Sequence, residues 1–281
     1  MTPMVAVPEP HRRVDVTIDG VARWYLRAEP PAGDRIVRRP VVRRPVVVDL
    51  HGHAEGAIRH ATSTRFAQLG ATEGFVTVTP QGSGMVARWH VVDDSPDVRF
   101  LLDLIDRLAV QPDIDPGRIY LTGMSNGGVM ATALAATRRA HIAAIGPVAG
   151  IWNAPVAALA DMVPAVIVHG TDDRIVGYSG GIDSAETRLD TPPVEETVAA
   201  YATHNGCDPS PTVEQVAPDV ERWSYRRPPP AAGGAVDFIR VLGGGHTWPG
   251  SVPVNPKRWG TTSEFDATAA IWRFFDTEGR R

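Results

Sequence analysis

Apolar residues follow two rhythms along this chain. Short continuous runs, such as PVVVDL at 45–50 and FVTVT at 75–79, suit strands buried on both faces. Similar runs recur at 118–122, 142–148, 164–168 and 236–242. Between them the spacing turns helical. Residues 61–72 predict one helix, and Val98, Leu101, Leu102, Ile105, Leu108 and Ala109 predict another after the Ser95-Pro96 start signal. A third runs from 126 to about 138, and a last one, at about 263–275, buries Ala267, Ile271, Phe274 and Phe275. At the front, 13–18 and 21–27 flank Asp19-Gly20, a two-residue turn signal that predicts a hairpin.

Strands alternating with helices imply an α/β fold: a mostly parallel central sheet with helices on both faces, extended by an antiparallel N-terminal hairpin. No internal repeat and no dividing linker stands out; the densest Pro/Gly stretch is Pro228–Gly234. A single domain over 1–281, with a core of about 13–276, is expected. In such folds ligands bind beyond the carboxyl ends of the strands, which directs attention to the residues that follow each strand.

Composition narrows the function classes. The chain has 281 residues, 43% hydrophobic and 21% charged, as in ordinary globular proteins. Its net charge of -4 supplies no basic field for nucleic acid. Lys257 is the lone lysine among 28 basic residues, an arginine bias that names no chemistry. With Cys207 as the single cysteine, an intrachain disulfide or a cysteine-based zinc site cannot form. The first twenty residues carry prolines and charges where a signal peptide needs an apolar stretch, and no window approaches the roughly 18 apolar residues of a membrane helix. A cytoplasmic protein without membrane or nucleic-acid partners is expected, although a removed leader would leave the same picture.

After the strand at 118–122 comes Gly123-Met124-Ser125-Asn126-Gly127-Gly128, a G-x-S-x-G pattern between strand and helix. A nucleophilic serine on so sharp a turn needs glycines two residues to either side, where a side chain would strike backbone. The following helix start offers free N–H groups to developing negative charge. A serine hydroxyl also needs a base held by a third group. The run at 164–168 leads to His169-Gly170-Thr171-Asp172-Asp173, and that at 236–242 leads to Gly243-Gly244-Gly245-His246. His246, in a glycine-rich loop, is the best base among nine histidines. Of the adjacent acids, Asp173 is chosen to orient it, and Asp172 is taken as a turn or capping residue. Two N–H groups would hold an oxyanion: Asn126 after the nucleophile, and His53 in Leu50-His51-Gly52-His53-Ala54. His51, His53 and His60 also admit a rival metal reading, against which stands the lack of a carboxylate at metal-like spacing; no metal or cofactor is expected.

Taken together, these segments resemble the α/β-hydrolase superfamily, and within it the polyhydroxybutyrate-depolymerase/feruloyl-esterase group that includes the LpqC-like esterases. The segments are VVVDLHGHAEGA, DVRFLLDLIDRL, IDPGRIYLTGMSNGGVMA, VAGIW, VHGTDDRIVGYSGG, HNGCDP and GGGHTWPG, in that order over about 45–275. The resemblance implies Ser125 as nucleophile, His246 as base and Asp173 as acid, in a serine esterase without cofactor. It also implies short-chain, hydroxyalkanoate or feruloyl-type esters as substrates. Members of the group often pair the cysteine of the NGC segment with a second one before the last strand. Here RRPPPAAGG offers none, so Cys207 is expected to be a free thiol. An acyltransferase or peptidase with the same triad, and a catalytically silent binding module, are the alternatives; oligomeric state is open.

Other features carry less. Trp89, Trp152 and Trp248 fall near strand ends and fit either a pocket wall or packing, while Tyr178 and the loop 177–192 fit a substrate mouth. Arg35, Arg38, Arg39, Arg43 and Arg44, interrupted by Pro40, read as a solvated strand edge. Asp97 reads as a complement to a helix dipole.

Overall fold

The computed structural model describes residues 10–31, 43–137, 142–151, 161–182, 190–231, 233–251, 259–260 and 263–279. The chain opens with strands β1 (Arg12–Ile18) and β2 (Val21–Ala28), which pair antiparallel with Ile18 opposite Val21. Asp19 and Gly20 both take positive φ, 50° and 76°, which is why the Asp-Gly pair was a sound turn signal.

Strands β3 (Arg44–Leu50), β4 (Val76–Pro80), β5 (Ile114–Met124), β6 (Ala144–Val148), β7 (Ala165–Gly170) and β12 (Val236–Val241) form the parallel centre. With β10 (Thr212–Ala217) and β11 (Val220–Tyr225), the sheet runs β1-β2-β4-β3-β5-β6-β7-β12-β11-β10, and the short strands β8 (Gly181–Ile182) and β9 (Asp190–Thr191) pair apart from it. An antiparallel pair thus closes each side. The hairpin β10–β11 does not figure in the expectation from sequence, because β10 is largely exposed and carries little apolar pattern.

Alternate residues of the central strands feed separate cores. Val46 and Val48 belong to one cluster with Leu101, Leu104 and Ile105 of α3 (Pro96–Ala109), Met130 and Leu134 of α4 (Asn126–Ala135), and Val198 and Tyr201 of α5 (Val194–His204). Val47 faces the other way, into a cluster with Phe66 of α2 (Phe66–Glu73) and Ile271, Phe274 and Phe275 of α6 (Ala267–Glu278). Ser95 caps α3, its hydroxyl accepting from the Val98 N–H at 3.2 Å, with Pro96 at the first helical position.

Three expectations need correction. The helix predicted over 61–72 is two helices, α1 (Ala57–Thr64) and α2, broken at Arg65 in the left-handed region (φ 56°). The break is set by tertiary contacts: the Thr268 hydroxyl donates to the Thr64 carbonyl at 2.6 Å, and the Arg65 guanidinium donates to the Gly250 carbonyl at 3.1 Å. The last helix starts later than expected, at the Asp266 cap, whose carboxylate accepts from the Ala269 N–H. Arg44 opens β3, a strand in the middle of the sheet rather than at its edge; Arg35, Arg38, Arg39 and Pro40 lie outside the described residues. Among the described residues no helix is long and apolar enough to cross a membrane.

The strand order reverses between β3 and β5, since β4 lies to one side of β3 and β5, β6 and β7 to the other. The crevice at such a switch point is where open α/β sheets bind ligands. The loop after β3 and the turn after β5 flank it.

Candidate active site

Ser125 occupies the turn between β5 and α4 with φ 54° and ψ −122°, a conformation that costs a residue with a side chain on the order of 1–3 kcal/mol. The surroundings over-determine it. Its N–H donates to the Val148 carbonyl at 2.8 Å and its carbonyl accepts from the Val129 N–H at 2.9 Å. A methyl group on Gly127 would stand 2.1 Å from the Leu50 carbonyl oxygen, and one on Gly150 would stand 2.3 Å from the Ser125 carbonyl oxygen. Gly127 was legible as half of the elbow pattern; Gly150, which follows β6, was not, because its contact is with another strand's turn.

Asn126 is the first residue of α4, so its N–H has no partner within the helix. Its side chain clamps one residue of the loop after β4 at both its backbone groups: Oδ1 accepts from the Trp89 N–H at 2.7 Å and Nδ2 donates to the Trp89 carbonyl at 3.0 Å. Trp89 is buried, and its indole N–H donates to the His51 carbonyl at 2.9 Å. Asp97 fixes the same loop. Its buried carboxylate accepts from Arg23 at 2.7 Å, Ser83 at 2.8 Å and the His90 N–H at 3.0 Å, a role larger than the helix-dipole complement read from sequence.

On the other side of the crevice, the His51 ring is held neutral in one tautomer. Its Nδ1–H donates to the Gly52 carbonyl at 2.7 Å, and its Nε2 accepts from the Gly82 N–H at 2.9 Å. Burial drives its pKa down to about 4. Gly52 follows, close enough that a methyl there would come 3.8 Å from the Ser125 Cβ, and then the exposed His53. The turn is pinned by the Ala54 N–H donating to the Ala87 carbonyl at 2.8 Å. His60 is engaged at both ring nitrogens by carboxylates, Asp49 at 2.8 Å and Glu55 at 3.0 Å. Neither His51 nor His60 therefore has a nitrogen left for a metal, and no metal-holding group of three such side chains occurs among the described residues.

Asp173 and His246 sit beyond the ends of the neighbouring strands β7 and β12, and they meet. His246 Nδ1 is 2.8 Å from Asp173 Oδ2, and both side chains are buried. A carboxylate can only accept here, so Nδ1 carries the proton and Nε2 keeps its lone pair, the tautomer a general base requires. The other oxygen, Oδ1, accepts from the Ile175 and Val176 N–H groups at 2.9 and 3.0 Å. His169, which the sequence did not single out, gives Asp173 a second imidazole neighbour. Its Nε2 lies 3.0 Å from the Val176 carbonyl and 3.4 Å from Asp173 Oδ2. Burial alone would raise the Asp173 pKa; hydrogen bonds from His169 and His246 outweigh it and hold the carboxyl well below the usual carboxylate range. Asp172 is exposed and pairs with Arg174 at 3.5 Å, whereas Asp173 is the acid in contact with the imidazole.

Backbone hydrogen bonds knit these turns into one rim: Ser125 N–H to Val148 O, Ala149 N–H to Val168 O, and Thr171 N–H to Val241 O, at 2.8, 2.9 and 2.9 Å. Trp259, absent from the sequence expectations, lies against His246, with ring centroids 5.7 Å apart.

The family model described as Esterase PHB depolymerase matches residues 38–163. NocK of Nocardia uniformis subsp. tsuyamanensis is 30% identical over 285 residues, covering 91% of this chain and 79% of that protein. The chain belongs to the PHB-depolymerase family of esterases. A bifunctional acetylxylan esterase/xylanase of Neocallimastix patriciarum is 25% identical over 77% of this chain, which spans 35% of that protein's length. Among solved structures, an acetyl xylan esterase from Aspergillus awamori superposes with a TM-score of 0.63 over 94% of this chain and 99% of its own, at 16% identity. That likeness shows the α/β-hydrolase fold.

The remaining aromatic candidates divide. Trp248 is buried against Phe66 and His60, and its indole N–H donates to the Thr268 hydroxyl at 3.0 Å, an arrangement of packing rather than of a pocket wall. Tyr178 is half-buried; its hydroxyl donates to Glu195 at 2.6 Å and accepts from Arg240 at 2.8 Å, tying the loop after β7 to β12. Trp152 lies outside the described residues.

Proposed function

We propose that this member of the family is a serine hydrolase of carboxylic esters that works through an acyl-enzyme. Ser125 attacks the ester carbonyl while His246 Nε2 takes its proton. Asp173 holds the imidazole in the required tautomer and stabilises the imidazolium that forms. The N–H groups of Asn126 and His53 receive the oxyanion, one from each side of the crevice at the switch point. His246 then protonates the leaving alcohol and activates the water that releases the acid. Short-chain, hydroxyalkanoate and feruloyl-type esters are the substrate classes to test, with Trp89 and Tyr178 as candidates to border the acyl group.

What supports the reading most is the 2.8 Å contact from Asp173 to His246 on the same rim as a serine held at φ 54°. Strain of that kind persists where the surrounding structure insists on it, as the close backbone packing at Gly127 and Gly150 does here. A fluorophosphonate probe should label the native protein stoichiometrically and fail to label Ser125→Ala, and a panel of p-nitrophenyl acetate, methyl ferulate and hydroxybutyrate oligomers should show turnover for at least one class. Equal labelling of the variant would remove Ser125 from the mechanism.

A further inference from the structure

A charged group is buried directly beneath the loop that faces Ser125. Asp49 stands near the end of β3, two residues on from Val47 and on the same face of the sheet. Its side chain is fully buried, with Oδ1 2.8 Å from His60 Nε2 and Oδ2 accepting from the Thr64 hydroxyl at 2.6 Å. The other nitrogen of His60, Nδ1, is 3.0 Å from Glu55 Oε2, and that same oxygen accepts from the Gly52 N–H at 2.9 Å. Glu55 Oε2 would also lie 3.4 Å from a methyl on Gly52. So one carboxylate oxygen is shared between the buried imidazole and the His51–Gly52 peptide, one residue before the His53 N–H.

The hydrogen-bond inventory fixes the charge. A neutral imidazole has one N–H, and here both ring nitrogens face carboxylate oxygens that can only accept. Deprotonated, the ring would turn a lone pair toward Asp49 or Glu55, and His60 and Asp49 are buried away from solvent. Burial alone would push the pKa of His60 down, but the two carboxylates carry it up to about 10. Glu55 is lowered correspondingly: burial would raise it, and the charge and hydrogen bond of His60 outweigh that. The groups facing His60 are the Asp49 and Glu55 carboxylates, the neutral His51 ring and the Trp248 ring, which meets it edge-on at 5.8 Å.

Resting on the serine-esterase reading, we propose that His60 and Glu55 are positioning residues: a buried imidazolium–carboxylate pair that holds the Gly52 amide and thereby aims the His53 N–H at the oxyanion. Neither residue touches the substrate. They act on the transition state through the backbone of 52–53, so their loss should lower kcat and leave KM nearly unchanged.

The test compares Glu55→Ala with Glu55→Gln in the full chain. In Glu55→Ala the Gly52 amide has no acceptor, and kcat should fall about 10- to 100-fold, less than the loss of an oxyanion donor outright, with KM within about twofold. In Glu55→Gln the side-chain carbonyl can still accept from Gly52, so kcat near neutral pH should recover to within about threefold of wild type. That variant also removes one of the two charges that keep His60 protonated. The alkaline fall of kcat, which in wild type should accompany His60 deprotonation near pH 10, should therefore move down by about a unit or more, read by pH-stat on a methyl ester. Wild-type labelling and turnover come first: if both are absent, the esterase reading fails. If wild type is active and Glu55→Ala, folded, keeps kcat within about threefold, the positioning proposal is overturned while the esterase reading stands. Should Glu55→Ala not fold, the alkaline limb of Glu55→Gln decides, and a limb that does not move overturns the proposal.

Discussion

Replacing Asp173 by asparagine probes the orienting acid with almost no change of shape. The wild-type carboxylate uses Oδ1 to accept from the Ile175 and Val176 N–H groups and Oδ2 to accept from His246 Nδ1. An asparagine must keep its oxygen at the first position, because its NH2 group cannot accept the two backbone donors. The NH2 then faces His246 Nδ1–H, donor against donor. The ring relieves this by moving its proton to Nε2, the nitrogen needed as base for Ser125. In serine proteases a change of this kind lowers kcat about 10⁴-fold, equivalent to about 5.5 kcal/mol of transition-state stabilisation. The same loss is expected here on an unactivated methyl ester, since the leaving alcohol must also be protonated by His246. Steady-state kinetics near neutral pH should be read beside Asp172→Asn, whose exposed carboxylate pairs with Arg174 and whose kcat should stay within about twofold. A melting curve must show that Asp173→Asn is folded. If the folded variant keeps more than about a tenth of wild-type kcat, or if Asp172→Asn is the more damaged, the assigned acid is wrong.

Three further outcomes follow from the same geometry. Gly127→Ala would drive a methyl to 2.1 Å from the Leu50 carbonyl oxygen, a backbone atom that cannot swing aside, and should destabilise by about 3 kcal/mol or more in guanidinium unfolding. Gly20→Ala has open space and only a positive φ of 76°, so about 1 kcal/mol is expected; the reverse ranking would contradict the elbow packing. Because folding raises the His60 pKa from 6.5 to about 10, the stability it contributes is fully present below about pH 6.5 and is lost as pH rises through 10. The thermal midpoint should fall over that window, more than in Asp49→Asn, and a flat profile would show that His60 is not charged in the native state. Cys207 is buried, its thiol donating to the Gly234 carbonyl at 3.3 Å, and burial pushes its pKa up. A disulfide reagent should find one thiol equivalent in denaturant and react far more slowly in the native protein; rapid native reaction would contradict this packing.

Local signals carried much of this fold. The central parallel strands announced themselves as continuous apolar runs because both faces are covered, and the Asp19-Gly20 turn did so because its two positive φ angles suit few residue pairs. The hairpin β10–β11 stayed hidden behind the exposed residues of β10, and the break at Arg65 had no glycine or proline to mark it. That break depends on Thr268 and Gly250, some two hundred residues away along the chain.

The candidate site divides in the same way. Ser125, Asp173 and His246 stand out in the sequence as candidates because each lies in a loop whose chemistry is local: a glycine-flanked elbow, an acid after a strand, a histidine among glycines. What sequence could not supply is partnership. That Asp173 rather than Asp172 meets the imidazole, that His169 joins it, that Gly150 buttresses the serine, and that Asp49, His60 and Glu55 share one buried charge are facts of strand order and side-chain direction. Backbone conformation is governed by near neighbours in the chain, whereas a buried polar group must find its partner wherever the packed sheet and helices bring one within 3 Å, and only the assembled structure decides that.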